Sequence, residues 1–249
     1  MTVEGRIAAL EAENAALRRH LVAAGLDLNV SPLPTSIAPE IVAVLHRTRN
    51  TLAMVRAIIR RSADVDRSAE DCMMRLDGRL GAIARVQSAG IADPSAGIDL
   101  HSILADELMA LLAREGERVD LAGPKVLLAP RAAEVFALGA HELANNAMEH
   151  GALTVPGGHI AIAWSLQPGR VAPMLSLTWI ETGMHDLRAE PSRRGFGTEM
   201  LEHTFRYEFG AETGLTYVPG GLRCSVRFAL LPRIGFAPEA SPRDDEAEG

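Results

Sequence analysis

The sequence predicts an α+β protein: a coiled-coil start, two long amphipathic helices, then an α/β sandwich with helices on one face of a mixed sheet. Three observations carry this. Apolar residues repeat at alternating spacings of three and four near the start, and at helical spacing from about residue 39 to residue 149. From residue 160 onward they fall at every second position. Few aromatics (4%) and many Ala, Leu, Val and Arg weigh against an all-β chain.

The elements follow in order. Ile7, Leu10, Asn14, Leu17 and Leu21 form an a/d seam, and an Asn at an a position favours a parallel, in-register dimer. Arg6 then faces Glu11 across chains, and Glu13 faces Arg18, both pairs of opposite sign. This predicts a coiled coil over 1–27, closed by Ser31-Pro32-Leu33-Pro34 in a linker over 28–38. A helix over 39–63 places Ile41, Leu45, Thr48, Leu52, Val55 and Ile59 on one stripe. A second, over 68–89, aligns Met73, Leu76, Leu80 and Ile83, with Ser68 as its N-cap. Residues 39–93 thus read as a helical hairpin, and two copies joined by the zipper would make a dimeric four-helix bundle.

Residues 94–97 read as a hinge into a second domain over 98–232. There a helix is expected over 100–115, a short strand over 118–121, and a long helix whose apolar run is Ala132 to Ala140. Ile160, Ile162, Trp164 and Leu166 share one strand face, as do Leu175, Leu177 and Trp179 of the next. A helix over 198–209 precedes a hairpin turning at Pro219-Gly220-Gly221, with Leu222, Cys224, Val226 and Phe228 alternating. Residues 233–249, ending in Asp244-Asp245-Glu246-Ala247-Glu248, are expected to be a disordered acidic tail.

Bulk properties narrow the function. A net charge of −7 argues against a general nucleic-acid binder. No apolar run reaches membrane-spanning length and the N-terminus lacks a basic-then-apolar signal, so a soluble cytoplasmic protein is expected. The two cysteines, Cys72 and Cys224, are far apart and read as small core residues in a reducing compartment.

Four segments carry chemistry. In His141-Glu142-Leu143-Ala144-Asn145-Asn146-Ala147-Met148-Glu149-His150-Gly151, Glu142 and Asn146 lie one turn apart on the same helix face. Burying them without partners costs a few kcal/mol, roughly, so a partner is expected, and an acid with an amide suits Mg²⁺ and phosphate. Leu45-His46-Arg47-Thr48-Arg49-Asn50 sets His46 beside the apolar stripe, where a neutral imidazole can accept a phosphoryl group. Leu177-Thr178-Trp179-Ile180-Glu181-Thr182-Gly183 places Glu181 just past a strand end, able to accept from a ligand amine such as adenine's. Arg193-Arg194-Gly195-Phe196-Gly197-Thr198 opens a helix, where small residues and free N–H groups admit phosphate.

Taken together, in this order, the four segments resemble the HWE histidine kinases of the GHKL ATP-binding superfamily, over roughly residues 39–231. The letters of that family match His141 in the N-box and Trp179-x-Glu181 before the Gly-rich segment. The resemblance implies a catalytic ATP-binding domain of the GHKL type over 98–232, using ATP and Mg²⁺. It makes His46 the phosphoacceptor, Asn146 the magnesium ligand and Glu142 the acidic catalytic residue. It puts Glu181 at adenine and Gly195-Phe196-Gly197-Thr198 beside the phosphates, with His141, Asn145, Trp179, Gly183, Arg193 and Arg194 completing the nucleotide site. The implied activity is ATP-dependent autophosphorylation of His46 in a homodimer, then transfer to an Asp of a response-regulator receiver domain.

Three positions depart from the pattern. Ala43 stands where an acidic residue usually precedes the phosphoacceptor, Glu149 stands for a Lys, and Met184 for a second glycine. Residues 1–38 cannot hold a PAS or GAF sensor, so a separate sensor protein is expected. These departures motivate an alternative, a histidine phosphotransfer or docking adaptor with a weakened ATP pocket.

Overall fold

The computed structural model describes residues 37–62, 68–92, 97–111, 115–184 and 200–238, with scattered helical positions between 5 and 23; the side chains of residues 37–40, 43, 46, 47, 61, 62, 91 and 92 are not among those described. The zipper seam residues Ile7, Leu10, Asn14, Leu17 and Leu21 therefore lie outside the described residues, as do residues 93–96 of the expected hinge. The chain divides into two compact units, Met1–Met54 and Val55–Gly249.

Helix α1, Ile37–Ser62, runs from the first unit into the second. Its expected stripe is present as an exposed face: Ile41, Leu45, Leu52 and Ile59 are all exposed, while Met54 and Ile58 are buried. Helix α2, Ala69–Ala92, is capped as expected. The Asp71 N–H donates to Ser68 Oγ (3.0 Å), and that hydroxyl donates to the Asp71 carboxylate (2.7 Å). The buried face of α2 matches the expected stripe only in part: Ile83 is buried and Leu76 and Leu80 half-buried. Met73 is exposed, and the inward residues are Arg79, Ala82, Ile83 and Val86. The helix turns a guanidinium toward carboxylates that periodicity alone does not reveal.

The rest of the second unit is a two-layer sandwich. After β1 (Ile98–Asp99) comes α3, Leu100–Ala110, capped by the Asp99 carboxylate on the His101 N–H. The expected helix to residue 115 stops earlier, because Leu111 leaves helical backbone and its N–H closes on the Leu108 carbonyl. Strands β2 (Val119–Ala122) and β3 (Leu127–Leu128) lead into α4, Pro130–Glu149, with Pro at its first turn. Then follow β4 (His159–Gln167), β5 (Met174–Thr182), a π-helical segment Met200–Phe205, and α5 (Arg206–Phe209). Strands β6 (Glu212–Val218), β7 (Gly221–Ala229) and β8 (Gly235–Phe236) complete the order. The expected helix over 198–209 is thus a π turn relaxing into one α turn, its first two residues lying outside the described ones.

The main sheet has the order β2-β4-β5-β7-β6. β2 runs parallel to β4 and every other pairing is antiparallel, the mixed sheet that was expected. Val218 pairs with Gly221 around Pro219-Gly220, and Gly220 takes a φ of +79°, as a two-residue turn of this hand requires. Ile160, Ile162 and Trp164 are buried, with Leu175, Leu177 and Trp179 opposite, so the period-two reading gives the inner face. Phe136 of α4 meets Phe205, Phe209 and Phe228 with ring centroids 5.1–5.8 Å apart, tying helix, π segment and sheet into one core. Gly139 leaves room for this, since a Cβ there would stand 2.7 Å from the Phe205 ring.

A second, three-stranded sheet, β1-β3-β8, was not anticipated, and it corrects the tail boundary at 233. Ile234 is buried and its carbonyl accepts the Ala129 N–H at the start of α4, so the fold continues to Pro238. Among the described residues no helix is long and apolar enough to cross a membrane.

Candidate functional site

Helix α4 carries His141, Glu142, Asn145 and Asn146 near its C-terminal end. The first two are buried and the two amides half-buried. The partner expected for Glu142 exists, and it is a guanidinium. Arg79 of α2 donates from Nε to one carboxylate oxygen (2.6 Å) and from Nη2 to the other (3.1 Å), with both residues about 3% exposed. Such forks combine charge with planar fit. His141 Nδ1 lies 3.2 Å from a Glu107 oxygen of α3, and Arg85 of α2 forks the same carboxylate at 3.0 and 2.5 Å. Asn145 donates to Glu149 (3.1 Å), whose other oxygen takes Arg75 of α2. The charge reversal at Glu149 is therefore matched by a cation on the neighbouring helix.

Past α4 the chain turns sharply. Gly151 precedes a 3₁₀ turn, Ala152–Thr154, and the Thr154 hydroxyl donates to the Gly151 carbonyl (2.8 Å). Glu181 fastens this turn to the sheet. Its Oε2 accepts the Ala152 N–H at 2.9 Å, and its Oε1 accepts the Trp179 indole N–H at 3.1 Å. Only glycine fits at 151, because a Cβ would fall 2.1 Å from that carboxylate and 2.6 Å from the Ala147 Cα. The sequence expectation for Glu181 needs correcting here. It lies inside β5, facing the core at 1% exposure, and not in a turn beyond the strand. Burial pushes its carboxyl above the ordinary 4.5, against the two N–H donors that pull it down. Each oxygen keeps a further lone pair, so one amine contact is compatible with the bonds present.

Trp179 is buried at 1% and serves Glu181 through its N–H. Gly183, φ +88°, passes against Gly157 and Gly158, where a Cβ would meet backbone at 2.9 Å. Met184 is buried, and its N–H donates to the Gly220 carbonyl. The structure thus brings together two of the four segments, the one ending at Gly151 and the one around Glu181. Arg193, Arg194, Gly195, Phe196, Gly197 and Thr198 lie outside the described residues, as does the side chain of His46.

Two residues escaped the sequence reading. Arg79 belongs to a helix read for its apolar stripe. Arg118 precedes β2 and donates to the carbonyls of Ala152 (2.7 Å), Leu153 (3.3 Å), Val155 (2.6 Å) and Gly158 (3.0 Å), shaping the turn from below. Neither has a local signal, since each meets partners more than thirty residues away.

The family model described as HWE histidine kinase matches residues 44–125. A blue-light-activated histidine kinase of Brucella ovis is 26% identical over 191 residues, 77% of this chain and 39% of that protein. Blue-light-activated histidine kinase 1 of Erythrobacter litoralis is 33% identical over 164 residues, 63% of this chain and 44% of that protein. The chain therefore spans less than half the length of these curated relatives. Among solved structures, the Erythrobacter litoralis EL346 blue-light activated histidine kinase shares the fold, with a TM-score of 0.52 at 19% identity over 82% of this chain and 63% of that one. The chain thus carries, over residues 44–125, a segment that matches the HWE histidine kinase model, and it shares the fold of that solved structure.

Proposed function

We propose that this chain is the kinase portion of a two-component system, taking the γ-phosphoryl of Mg-ATP onto His46 and passing it to an Asp of a response-regulator receiver domain. One observation carries the reading beyond the family. The Glu181 carboxylate holds the Ala152 N–H, which fixes the end of the His141–Gly151 segment against the Trp179-x-Glu181 strand. Two segments thirty residues apart in sequence thus share one wall, suited to an adenine amine at Glu181 and phosphates nearer Asn146.

The donor set suits magnesium. Among the described residues no group of three His, Cys, Asp or Glu could hold a metal. A half-buried Asn146 amide oxygen fits an ion that arrives with phosphate oxygens and keeps several waters. When bound, Mg²⁺ neutralises charge on the β- and γ-oxygens. Asn146 would hold the ion, Glu181 would orient the base, Arg193, Arg194 and the Gly195-Phe196-Gly197-Thr198 segment would cradle the phosphates, and Glu142 would orient or deprotonate the acceptor.

The exposed Ile41, Leu45 and Leu52 support homodimerisation through helix α1, because an apolar stripe left in water favours a partner. The coiled coil over 1–27 would set the register of that dimer. A cytoplasmic site and a separate sensor protein complete the reading.

Incubation with Mg²⁺ and γ-labelled ATP should yield an acid-labile phosphoprotein that loses its label to a cognate receiver domain. Label retained in a His46→Gln variant would sink the assignment. The fork that Arg79 makes with Glu142 favours one other reading, a phosphotransfer adaptor with an idle ATP pocket. Calorimetric titration with Mg-ATP separates them, since an adaptor gives no binding heat.

A further inference from the structure

We infer, resting on the adenine role proposed for Glu181, that Arg118 is a positioning residue for the base: it keeps Glu181 aimed at the adenine amine by holding the residue to which Glu181 is bonded. Ala152 is the shared point. Its N–H donates to Glu181 Oε2 at 2.9 Å, and its carbonyl accepts from Arg118 Nη2 at 2.7 Å. One residue of the turn is therefore fixed at its N–H by the carboxylate and at its carbonyl by the guanidinium.

Arg118 is itself well tethered. Its carbonyl accepts the Ile160 N–H at 2.9 Å, and Val119 beside it pairs with Ile160, so its backbone belongs to the start of the β2–β4 pair. From there the guanidinium reaches the carbonyls of residues 152, 153, 155 and 158 and draws the turn onto the beginning of β4. Five N–H donors in a planar fork suit that task, whereas an ammonium offers three around one point. The turn has little slack elsewhere. A Cβ at Gly158 would stand 1.8 Å from the Ala152 oxygen, and one at Gly183 would stand 2.9 Å from backbone of Gly157 and Gly158. A displaced turn is thus felt at the end of β5, which carries Glu181. Without the guanidinium the Ala152 N–H moves, the carboxylate follows its donor, and the oxygen lone pair left for an amine points elsewhere. In the proposed site only the 6-amino group of the nucleotide senses that change, since the phosphates lie nearer Asn146.

The test uses the whole chain and compares the affinity for Mg-ATP with that for Mg-purine riboside triphosphate, which lacks only the 6-amino group. Calorimetry gives the first and competition against ATP the second. The parent should prefer ATP several-fold, and Glu181→Gln should lose that preference. Arg118→Met should bind ATP several-fold more weakly and bring the two ligands close to equal affinity, with Arg118→Lys in between. Added to Glu181→Gln, Arg118→Met should change the preference no further. A merely structural arginine predicts instead that Arg118→Met weakens both ligands alike and keeps the parental preference; that result overturns the inference and leaves the kinase reading intact. If Arg118→Met does not fold, Arg118→Lys decides by the same ratio, and a full parental preference there overturns the inference. A parent that binds both ligands equally overturns the adenine role of Glu181 and the positioning role with it, and a parent that binds no Mg-ATP overturns the kinase reading as well.

Discussion

Phe136, early in helix α4, meets three aromatic rings, whereas Glu142, less than two turns on, meets one guanidinium fork. Both are buried by neighbours distant in sequence, but the forces differ in kind. The aromatic end is held by area and dispersion, which act in all directions and tolerate small adjustments. The charged end is held by geometry, and there the partners matter more than the burial. A desolvated pair is worth little relative to an apolar replacement, yet half of one is costly. A helix built this way has a fixed end and a conditional one.

The comparison can be broken from either side. Phe136→Ala should have the largest effect, a loss of about 3–5 kcal/mol in denaturant unfolding, because it opens a cavity among Phe205, Phe209 and Phe228. No second substitution in that cluster should recover it. Glu142→Ala should cost roughly 3 kcal/mol by removing the carboxylate that Arg79 forks in a buried site, but the double variant Arg79→Met, Glu142→Leu should return close to the parent. Failure of that recovery would mean that the two ends of α4 do not differ as argued.

Smaller effects sharpen the picture around the turn after α4. Arg118→Met removes one donor from each of four carbonyls, of which only Val155's is seen to keep another, the Gly158 N–H, and should cost about 1–3 kcal/mol, with faster amide exchange confined to residues 151–158. The smallest effect concerns Glu181. Its folded carboxyl titrates above the ordinary 4.5, so the folded state binds the proton more tightly than the unfolded one. Stability from this group is therefore greatest at low pH and is lost as pH rises from 4.5 through the raised value. Melting curves of the parent and Glu181→Gln should diverge in the parent's favour as pH falls across that window. A constant difference would contradict the burial argument.

Much of the fold was legible because it rests on local rules. Ser68 announced its helix through a hydroxyl and a carboxylate three residues on, and the β6–β7 hairpin through Pro219-Gly220 between alternating residues. The alternation of Leu175, Leu177 and Trp179 gave the inner face, and Glu181 continues it. The expectation of a turn there treated a carboxylate as a solvent group, although the two N–H donors that satisfy it come from Trp179 and Ala152. Position 73 shows the opposite failure, an apolar residue on the open side because Arg79 claimed the inner one. Periodicity assigns faces by hydrophobicity and cannot see a buried ion pair whose members stand 63 positions apart. For the same reason the site was half legible: residue types named the chemistry of Glu142, but not its partner.

Arg118 carries one more implication. Four carbonyl oxygens of the turn converge on its guanidinium much as ring oxygens of a crown ether close around a cation. A host of this kind is built for the size of its guest. An insertion or deletion between 152 and 158 would change the ring, so this loop, unlike most surface loops, should resist changes in length. The edge strand that follows Arg118 is then an anchor as well as a margin: through one side chain it sets the shape of a turn on which Glu181 also depends.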